Sequence, residues 1–265
     1  MLSHVTFTGW DRHTDLDDLS AFLEACPQER VEIAVLHSAS KDDGDRYPLA
    51  KQAEEILRTA KASGQRTALH LCGRAARDML DSSVGHGADA SRIVVSYALA
   101  DLIHLADRVQ VNVPEDFWPP GLGMYERAYE TARALGRPVI VQSRSVDGWP
   151  DVRHLASGAE RMVPFLFDRS AGHGSVSEIW PEPPSSDLLV GYAGGLGPHN
   201  VARYVGKLAE MRPHARFWVD MESGIRESFP SGQRRPDEPP VSSFVSISKC
   251  SAVMKAVEKY MERPC

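Results

Sequence analysis

The chain contains 265 residues, of which 42% are hydrophobic and 25% charged, and this is enough apolar material for one globular core. Such a composition excludes an intrinsically disordered or collagen-like protein. The formal net charge of −6 makes nucleic acid an unfavourable partner, because the surface would on average repel a polyanion. Cys26, Cys72, Cys250 and Cys265 are scattered without a C-x-x-C pair, so neither a disulfide framework nor a structural zinc site is expected.

Cysteine usage and the lack of export signals predict a protein of the reducing cytoplasm. No apolar run approaches the roughly 20 residues that a membrane-spanning helix requires, so no membrane partner is expected. The first residues, Met1–Thr6, have neither the basic nor the apolar region of a signal peptide. The sequence leaves the oligomeric state open between a monomer and a homodimer.

Short β-rich apolar runs alternate with segments whose apolar residues recur every three or four positions. The eight predicted strands are Val5–Thr8, Val31–His37, Thr67–Cys72, Val109–Val113, Pro138–Gln142, Val163–Asp168, Leu188–Ala193 and Phe217–Met221. The predicted helical faces are Leu16, Leu19, Phe22 and Leu23; Ala53, Ile56, Leu57 and Ala60; Val201, Tyr204, Val205 and Leu208; and Val253, Met254, Val257, Tyr260 and Met261. Strand–helix alternation forces parallel pairing. Eight such units predict an α/β fold, a single (β/α)8 TIM barrel, and the length matches the ~250 residues typical of one.

A doubly wound open sheet is the alternative fold, but no G-x-G-x-x-G follows the first strand, where the sequence is Thr8–Arg12. The segment Asp81–Asp107 contains the apolar run Ile93–Ala100, which is predicted to add a helix to the outer ring. The proline-rich and charged segment Arg226–Pro240 is predicted to be a long loop after the eighth strand. Too little chain follows it for a second core, so residues 1–265 are expected to form one domain.

In such a barrel, catalytic groups gather at the C-terminal ends of the strands. Polar side chains are concentrated there, namely Thr8, Asp11, His37, Arg46, His70, Cys72, Gln110, Asn112, Gln142, Arg144, Asp168, Arg169, Asp220 and Glu222. Glycines follow the last two strands, in Gly194-Gly195 and in Ser223-Gly224, where backbone N–H groups can approach an anion closely. Either site alone is more typical of a tight turn. Their joint occurrence predicts a phosphate site.

Taken in chain order, a series of short segments resembles the phosphoribosylanthranilate isomerase family along almost the whole chain. The similar segments are Val5–Gly9 (V-K-I-C-G in the family), Asp45–Pro48 (S-P-R-Y-V), Val109–Val113 (V-Q-L-H-G), Phe165–Asp168 (L-L-D-S), the glycine-rich Gly172–Gly174 and Asp220–Ile225 (D-V-S-S-G-V). The most specific match is Gly194–Val201, which fits G-G-L-x-P-x-N-V at every fixed position.

The resemblance implies an Amadori rearrangement, in which a ribosylamine 5-phosphate opens and becomes a 1-amino-1-deoxyketose without a cofactor. The chemistry needs an acid for the ring oxygen and a base for the C2 proton. Asp168 matches the family's acid, and Arg46 matches an arginine that contacts the substrate. The implied phosphate site comprises Gly194, Gly195, Asp220, Ser223 and Gly224. Thr8, Arg46, His70, Gln110 and Asn112 are the expected contacts to the rest of a small phosphorylated sugar.

Several departures from the family change the chemistry of the barrel mouth, which is the end formed by the C-terminal ends of the strands. Thr8 replaces the cysteine base of the first strand, and a threonine hydroxyl does not ionise near neutral pH. The candidates to replace this cysteine as the base are Asp11, His70, Cys72 and Glu222. Asp11 is favoured first and Glu222 second. An ordinary ion pair of Asp11 with Arg12, or of Asp168 with Arg169, is the alternative explanation for those carboxylates. The other departures are Asn112 for histidine, Glu222 for serine and Arg226 for glutamate.

Two further functions stay open at this point. One is a non-catalytic barrel that binds a phosphosugar, and the other is a lyase, epimerase or synthase using the same phosphate site. Zinc ligation by His37, His70 and Asp168 is not expected, because no H-x-H pair ends the first strand and the resembling family uses no metal.

Overall fold

Eight parallel strands close into a barrel in chain order, as the sequence predicts. This computed structural model describes residues 1–39, 46–82, 97–112, 122–143, 163–168, 180–182, 189–228 and 243–261. The strands are β1 Leu2–Thr8, β2 Val31–Ser38, β3 Arg66–Cys72, β4 Arg108–Asn112, β5 Val139–Ser143, β6 Phe165–Asp168, β7 Val190–Ala193 and β8 Phe217–Met221. The pairing of β1 with β8 completes the ring, and the predicted TIM barrel is confirmed.

The helices pack around the barrel through the faces that periodicity predicts. They are α1 Leu16–Glu24, α2 Ala50–Ala62, α3 Arg74–Ser82, α4 Tyr97–Leu105, α5 Leu122–Leu135, α6 Val201–Met211 and α7 Ile247–Val257. In α1, Leu19, Phe22 and Leu23 are buried, and the Asp15 side chain caps the first turn by accepting two backbone N–H bonds. Within the described residues, no helix is both long and apolar enough to cross a membrane.

Several predicted bounds shift by a few residues. β1 begins at Leu2 rather than Val5, because Leu2 already pairs with Phe217 of β8. The apolar run at 93–100 lies partly in α4, which begins at Tyr97; residues 93–96 are outside the described part of the chain.

The segment after β8 is not a simple loop, which corrects the prediction for Arg226–Pro240. Its first residues form β9, Arg226–Ser228, and pair antiparallel with β10, Ser243–Val245. The backbone hydrogen bonds of this small ribbon return the chain from the mouth of the barrel to α7, which Ser246 caps. The rest of the predicted loop lies outside the described residues.

Alternate residues of each strand point into the barrel, as the pleat requires. The outward residues form the large apolar core against the helices, whereas Ile140, Leu166, Ala193 and Trp218 form a separate cluster inside. Gly191 gives the Trp218 ring its space, because a Cβ there would lie 2.3 Å from that ring. The interior is therefore filled by one large aromatic ring rather than by layers of aliphatic side chains alone.

A buried ion pair also lies inside the barrel. Glu32 of β2 and Arg108 of β4 form a buried ion pair, and Thr6 donates a 2.8 Å hydrogen bond to the same carboxylate. The Arg108 guanidinium lies 4.3 Å from the centroid of the Trp218 ring, on which His4 also stacks. Burial, followed by the charge of Arg108, lowers the pKa of His4 well below its usual value, so the stacked ring is neutral.

We expect this buried pair to tolerate joint replacement better than single replacement. Arg108→Met or Glu32→Leu alone strands a charge in the interior and should lower the free energy of unfolding by about 3–5 kcal/mol. The double variant strands no charge and should be more stable than either single variant in urea denaturation. A double variant whose loss equals the sum of the two single losses would contradict this account.

Candidate active site

Two glycine-containing turns meet above the ends of β7 and β8. Gly194 and Gly195 adopt positive φ values of 111° and 61°, which favour glycine. Gly224 lies so close to the first turn that a Cβ on it would be 2.0 Å from the carbonyl oxygen of Leu196. A hypothetical Cβ on Gly197 would in turn lie 3.0 Å from the Gly224 carbonyl oxygen. The predicted juxtaposition of the two glycine sites is therefore present.

Asn200 fixes the first turn from within. Its side-chain oxygen accepts the Gly197 N–H at 2.9 Å, and its amide donates to the Gly195 carbonyl, also at 2.9 Å. Among the described residues, the backbone N–H groups of Gly195, Leu196 and Gly224 donate to no protein acceptor. These donors stand at the rim of the barrel, where backbone N–H groups can hold an anion.

Two buried carboxyl groups lie just below these turns. Strand register aligns Asp168 of β6 with Ala193 of β7, and Ala193 with Asp220 of β8. The two aspartates thus flank Ala193 on the strands to either side of β7. Asp168 accepts a 2.6 Å hydrogen bond from the Gln142 amide, and Asp220 accepts one of 2.7 Å from the Thr8 hydroxyl.

The pKa of the Asp220 carboxyl group is raised in the folded protein. Burial is the main reason that its pKa rises to about 7; the hydrogen bond from Thr8 acts against this rise, and the nearby charge of Glu222 adds to it. A carboxyl group with such a pKa is present in both protonation states near neutral pH, so it can give or accept a proton there.

Two ion pairs occupy the rim beside β1. Arg46 and Glu222 approach within 2.6 Å, with about 33% and 26% of their side chains exposed. Asp11 pairs with Arg226 at 2.6 Å, and both side chains are almost fully buried. Arg226 also donates to the Gly9 carbonyl, so this second pair fixes the loop after β1. The alternative pairing of Asp11 with Arg12 is not the one present.

The β3–β4 side of the mouth carries neutral polar groups. Gln110 donates to Asn112 at 3.0 Å, Asn112 lies 3.7 Å from the Cys72 sulfur, and Tyr47 hydrogen-bonds the same cysteine. Burial and the charge of Arg108 lower the pKa of His70 to about 3, so its ring is neutral at physiological pH. The buried His70 Nε2 and Gln110 Oε1 have no hydrogen-bond partner within the described residues.

The structure brings most of the predicted site residues to one mouth. They are Thr8, Asp11, Arg46, His70, Gln110, Asn112, Asp168, Gly194, Gly195, Asp220, Ser223, Gly224 and Glu222. Arg144, Arg169 and Gly172–Gly174 lie outside the described residues. Across the described ranges, no three His, Cys, Asp or Glu side chains are arranged to hold a metal ion.

Sequence reasoning missed two features of this mouth. It assigned Asp220 to phosphate binding and did not foresee its hydrogen bond to Thr8; the alternation of Trp218 and Asp220 along β8 was the available signal. It also did not foresee that Asn200 closes the glycine turn from the start of α6.

No family model matches the chain, and no curated protein matches it either. Solved structures do match. Monomers of the dimeric phosphoribosylanthranilate isomerase of Thermotoga maritima align with a TM-score of 0.54 at 15% identity, covering 97% of this chain and 99% of that one. D-allulose 3-epimerase of a Methylomonas species aligns with a TM-score of 0.50 at 10% identity, covering 98% and 99%. At such identities the likeness establishes the barrel fold, which these enzymes share.

The phospho-2-dehydro-3-deoxyheptonate aldolase of Thermotoga maritima also aligns, with a TM-score of 0.51 at 9% identity. The alignment covers 97% of this chain and 68% of that one. Isomerase, epimerase and aldolase therefore all occur among the similar barrels, so the reaction has to be argued from the residues of the mouth.

We expect Asp220 to make the protein less stable as the pH rises from about 4 to 7. In this window the folded carboxyl keeps its proton whereas the unfolded one has lost it, so the free energy of unfolding falls by up to about 1.4 kcal/mol per pH unit. Asp220→Asn removes this contribution. His4 and His70, with lowered pKa values, contribute the opposite slope below about pH 6.5, but they are common to both proteins.

The difference between the two stability curves, measured by urea denaturation at each pH, therefore isolates Asp220. The unaltered protein should lose stability relative to the variant across this window and run parallel to it above pH 8. Curves that stay parallel from pH 4 to 7 would show that the folded and unfolded carboxyls titrate alike.

Proposed function

We propose that this protein is a cytoplasmic, cofactor-independent aldose–ketose isomerase that acts on a phosphorylated aminosugar by an Amadori-type rearrangement. One observation carries the proposal: two buried carboxyl groups, Asp168 and Asp220, flank Ala193 directly beneath the joined glycine turns. The turns hold the phosphate, and the carboxyl groups supply the acid and the base. The likeness of the barrel to a phosphoribosylanthranilate isomerase agrees with this chemistry.

The phosphate is held by backbone N–H groups rather than by a cation. Gly195, Leu196 and Gly224 contribute donors from two turns in contact with each other, and Ser223 lies beside them at the rim. Oriented backbone amides favour a doubly charged anion without the desolvation cost of an arginine or lysine. This arrangement leaves the sugar carbons over β6 to β8, above the two aspartates.

The proton transfers balance between the two aspartates. Asp168 donates to the ring oxygen while the bond from C1 to that oxygen breaks and the nitrogen lone pair forms C1=N. The Asp220 carboxylate takes the C2 proton, which gives an enolamine. Asp220 returns a proton to C1, the enol proton passes to Asp168, and the 1-amino-1-deoxyketose leaves both carboxyl groups as they began.

Asp220 is a better base than either of the residues favoured on sequence grounds. Asp11 is bound to the Arg226 guanidinium, and Glu222 is bound to that of Arg46, so each already neutralises a charge. The only described hydrogen-bond donor to Asp220 is the neutral Thr8 hydroxyl. Thr8, which stands where the family's cysteine would, is therefore a positioning residue that holds the Asp220 carboxyl.

A phosphosugar-binding barrel without catalytic activity is the second candidate, favoured by the replacement of the strand-one cysteine by Thr8. The two candidates differ in turnover and agree in binding. Tight binding of ribose 5-phosphate without turnover of any ribosylamine phosphate would select the binding function.

Activity should depend on both aspartates. Incubation with phosphoribosylanthranilate and related ribosylamine 5-phosphates, followed by mass spectrometry, should detect a 1-amino-1-deoxyketose. Asp168→Asn and Asp220→Asn should each lower kcat about 10²- to 10⁴-fold, the usual contribution of a general acid or base. Ser251→Ala, on the exposed side of α7, is the matched control. No product from any substrate, or equal rates in all variants, would refute the proposal.

Phosphate affinity should depend on the contact between the two turns. Gly224→Ala adds a Cβ that would overlap the Leu196 carbonyl, so the turns must separate and binding of ribose 5-phosphate in calorimetry should weaken tenfold or more. Gly136→Ala, at a positive φ of 64° with nothing within 4 Å of the added Cβ, controls for a general loss of stability. Equal affinities in the two variants would argue against a phosphate at these turns.

A further inference from the structure

The Arg46–Glu222 ion pair determines the charge that the mouth offers to the rest of the substrate. Its atoms approach within 2.6 Å at the end of β1. A Cβ on Gly9 would lie 3.1 Å from the Glu222 side chain and 3.7 Å from that of Arg46, so both side chains cross the backbone just after Thr8. The pair therefore lies at the mouth of the barrel, beside the groups of the proposed reaction.

Among the described residues, the two ion pairs on this side of the mouth carry no net positive charge for a second anionic group. The guanidinium of Arg46 is matched by Glu222 and that of Arg226 by Asp11. Asp220 adds a further carboxyl group next to Glu222, and the two are close enough for the charge of one to raise the pKa of the other. A substrate carboxylate placed here would face like charges with its hydration partly removed.

The opposite side of the mouth offers neutral hydrogen-bonding groups. His70 and Gln110 are paired in register on β3 and β4. His70 is 1% exposed and Gln110 is 2% exposed, and His70 Nε2 and Gln110 Oε1 lack partners in the described chain. A buried polar atom without a partner costs free energy unless a ligand or water satisfies it. An amide-type group, with one donor and one acceptor, satisfies both atoms.

We propose that the amine half of the substrate carries an uncharged amide-type group rather than a carboxylate, with Glu222 as the residue that excludes the carboxylate. The inference rests on the proposed function, since it takes the phosphate to lie at the glycine turns. Those turns follow β7 and β8, which lie across the barrel from β3 and β4. An elongated ligand anchored by its phosphate therefore extends toward His70 and Gln110 and passes the Arg46–Glu222 pair.

Two stable ligands that differ in one group test the inference. They are N-aryl-1-amino-1-deoxyribitol 5-phosphates with either a carboxamide or a carboxylate ortho to the nitrogen, and binding is measured by calorimetry at pH 8. The carboxamide should bind the unaltered protein at least tenfold more tightly. Glu222→Gln frees the Arg46 charge and should remove or reverse that preference. Glu258→Gln, the same change on an exposed residue after α7, should leave it unaltered.

The possible results separate the two proposals. If both ligands bind the unaltered protein equally, or if the carboxylate binds more tightly, the inference is wrong while the phosphate site stands. If neither ligand binds, and ribose 5-phosphate does not bind either, the proposed function is wrong and the inference falls with it. If Glu222→Gln does not fold, Glu222→Ser is the second variant. If the folded variant still prefers the carboxamide to the same extent, Glu222 is not the residue that excludes the carboxylate.

Discussion

The buried ion pair between Glu32 and Arg108 is the constraint on which the rest of the barrel depends. Side chains must fill the inside of an eight-stranded barrel. Here the filling is a charged group on β2 matched by one on β4, with Thr6 bonded to the carboxylate and Trp218 covering the guanidinium. Neither charge is tolerable there without the other, because water does not reach them. The strands that support the mouth are therefore held together by an interaction in which neither partner can be replaced alone without leaving a buried, unpaired charge.

Above this layer, the type of polar group inside the barrel changes along the barrel axis. Paired charges lie at the bottom, the carboxyl groups of Asp168 and Asp220 follow near the ends of β6 and β8, and backbone N–H donors lie at the rim. The order suits a small anionic metabolite, since its charge stays at the rim and only its carbon skeleton meets the acids. Burial of Asp220 beside Glu222 brings the pKa of this carboxyl to about 7, so it can take up and release a proton at neutral pH.

Periodicity in the sequence was enough to predict eight strands and the faces of the helices, because most outward residues of the strands are apolar and buried. It was not enough to predict the inward faces. The apolar runs predict strands buried on both faces, whereas Trp218 and Asp220 alternate along the interior side of β8 and Glu222 follows them at the rim. The pairing of Asp11 with Arg226 joins residues 215 apart, and no local pattern indicates such a contact. The glycine turns were predictable because their motif is contiguous.

The way in which Asn200 closes its turn has a consequence for ligand capture. Its two hydrogen bonds hold the turn in one conformation, and the tight contact of Leu196 with Gly224 extends that order to the neighbouring turn. The donors are thus preorganised, and docking of an anion need not freeze these backbone torsions. Little of the attraction between anion and amides is then spent on conformational entropy, so even a compact ligand with few contacts can be retained.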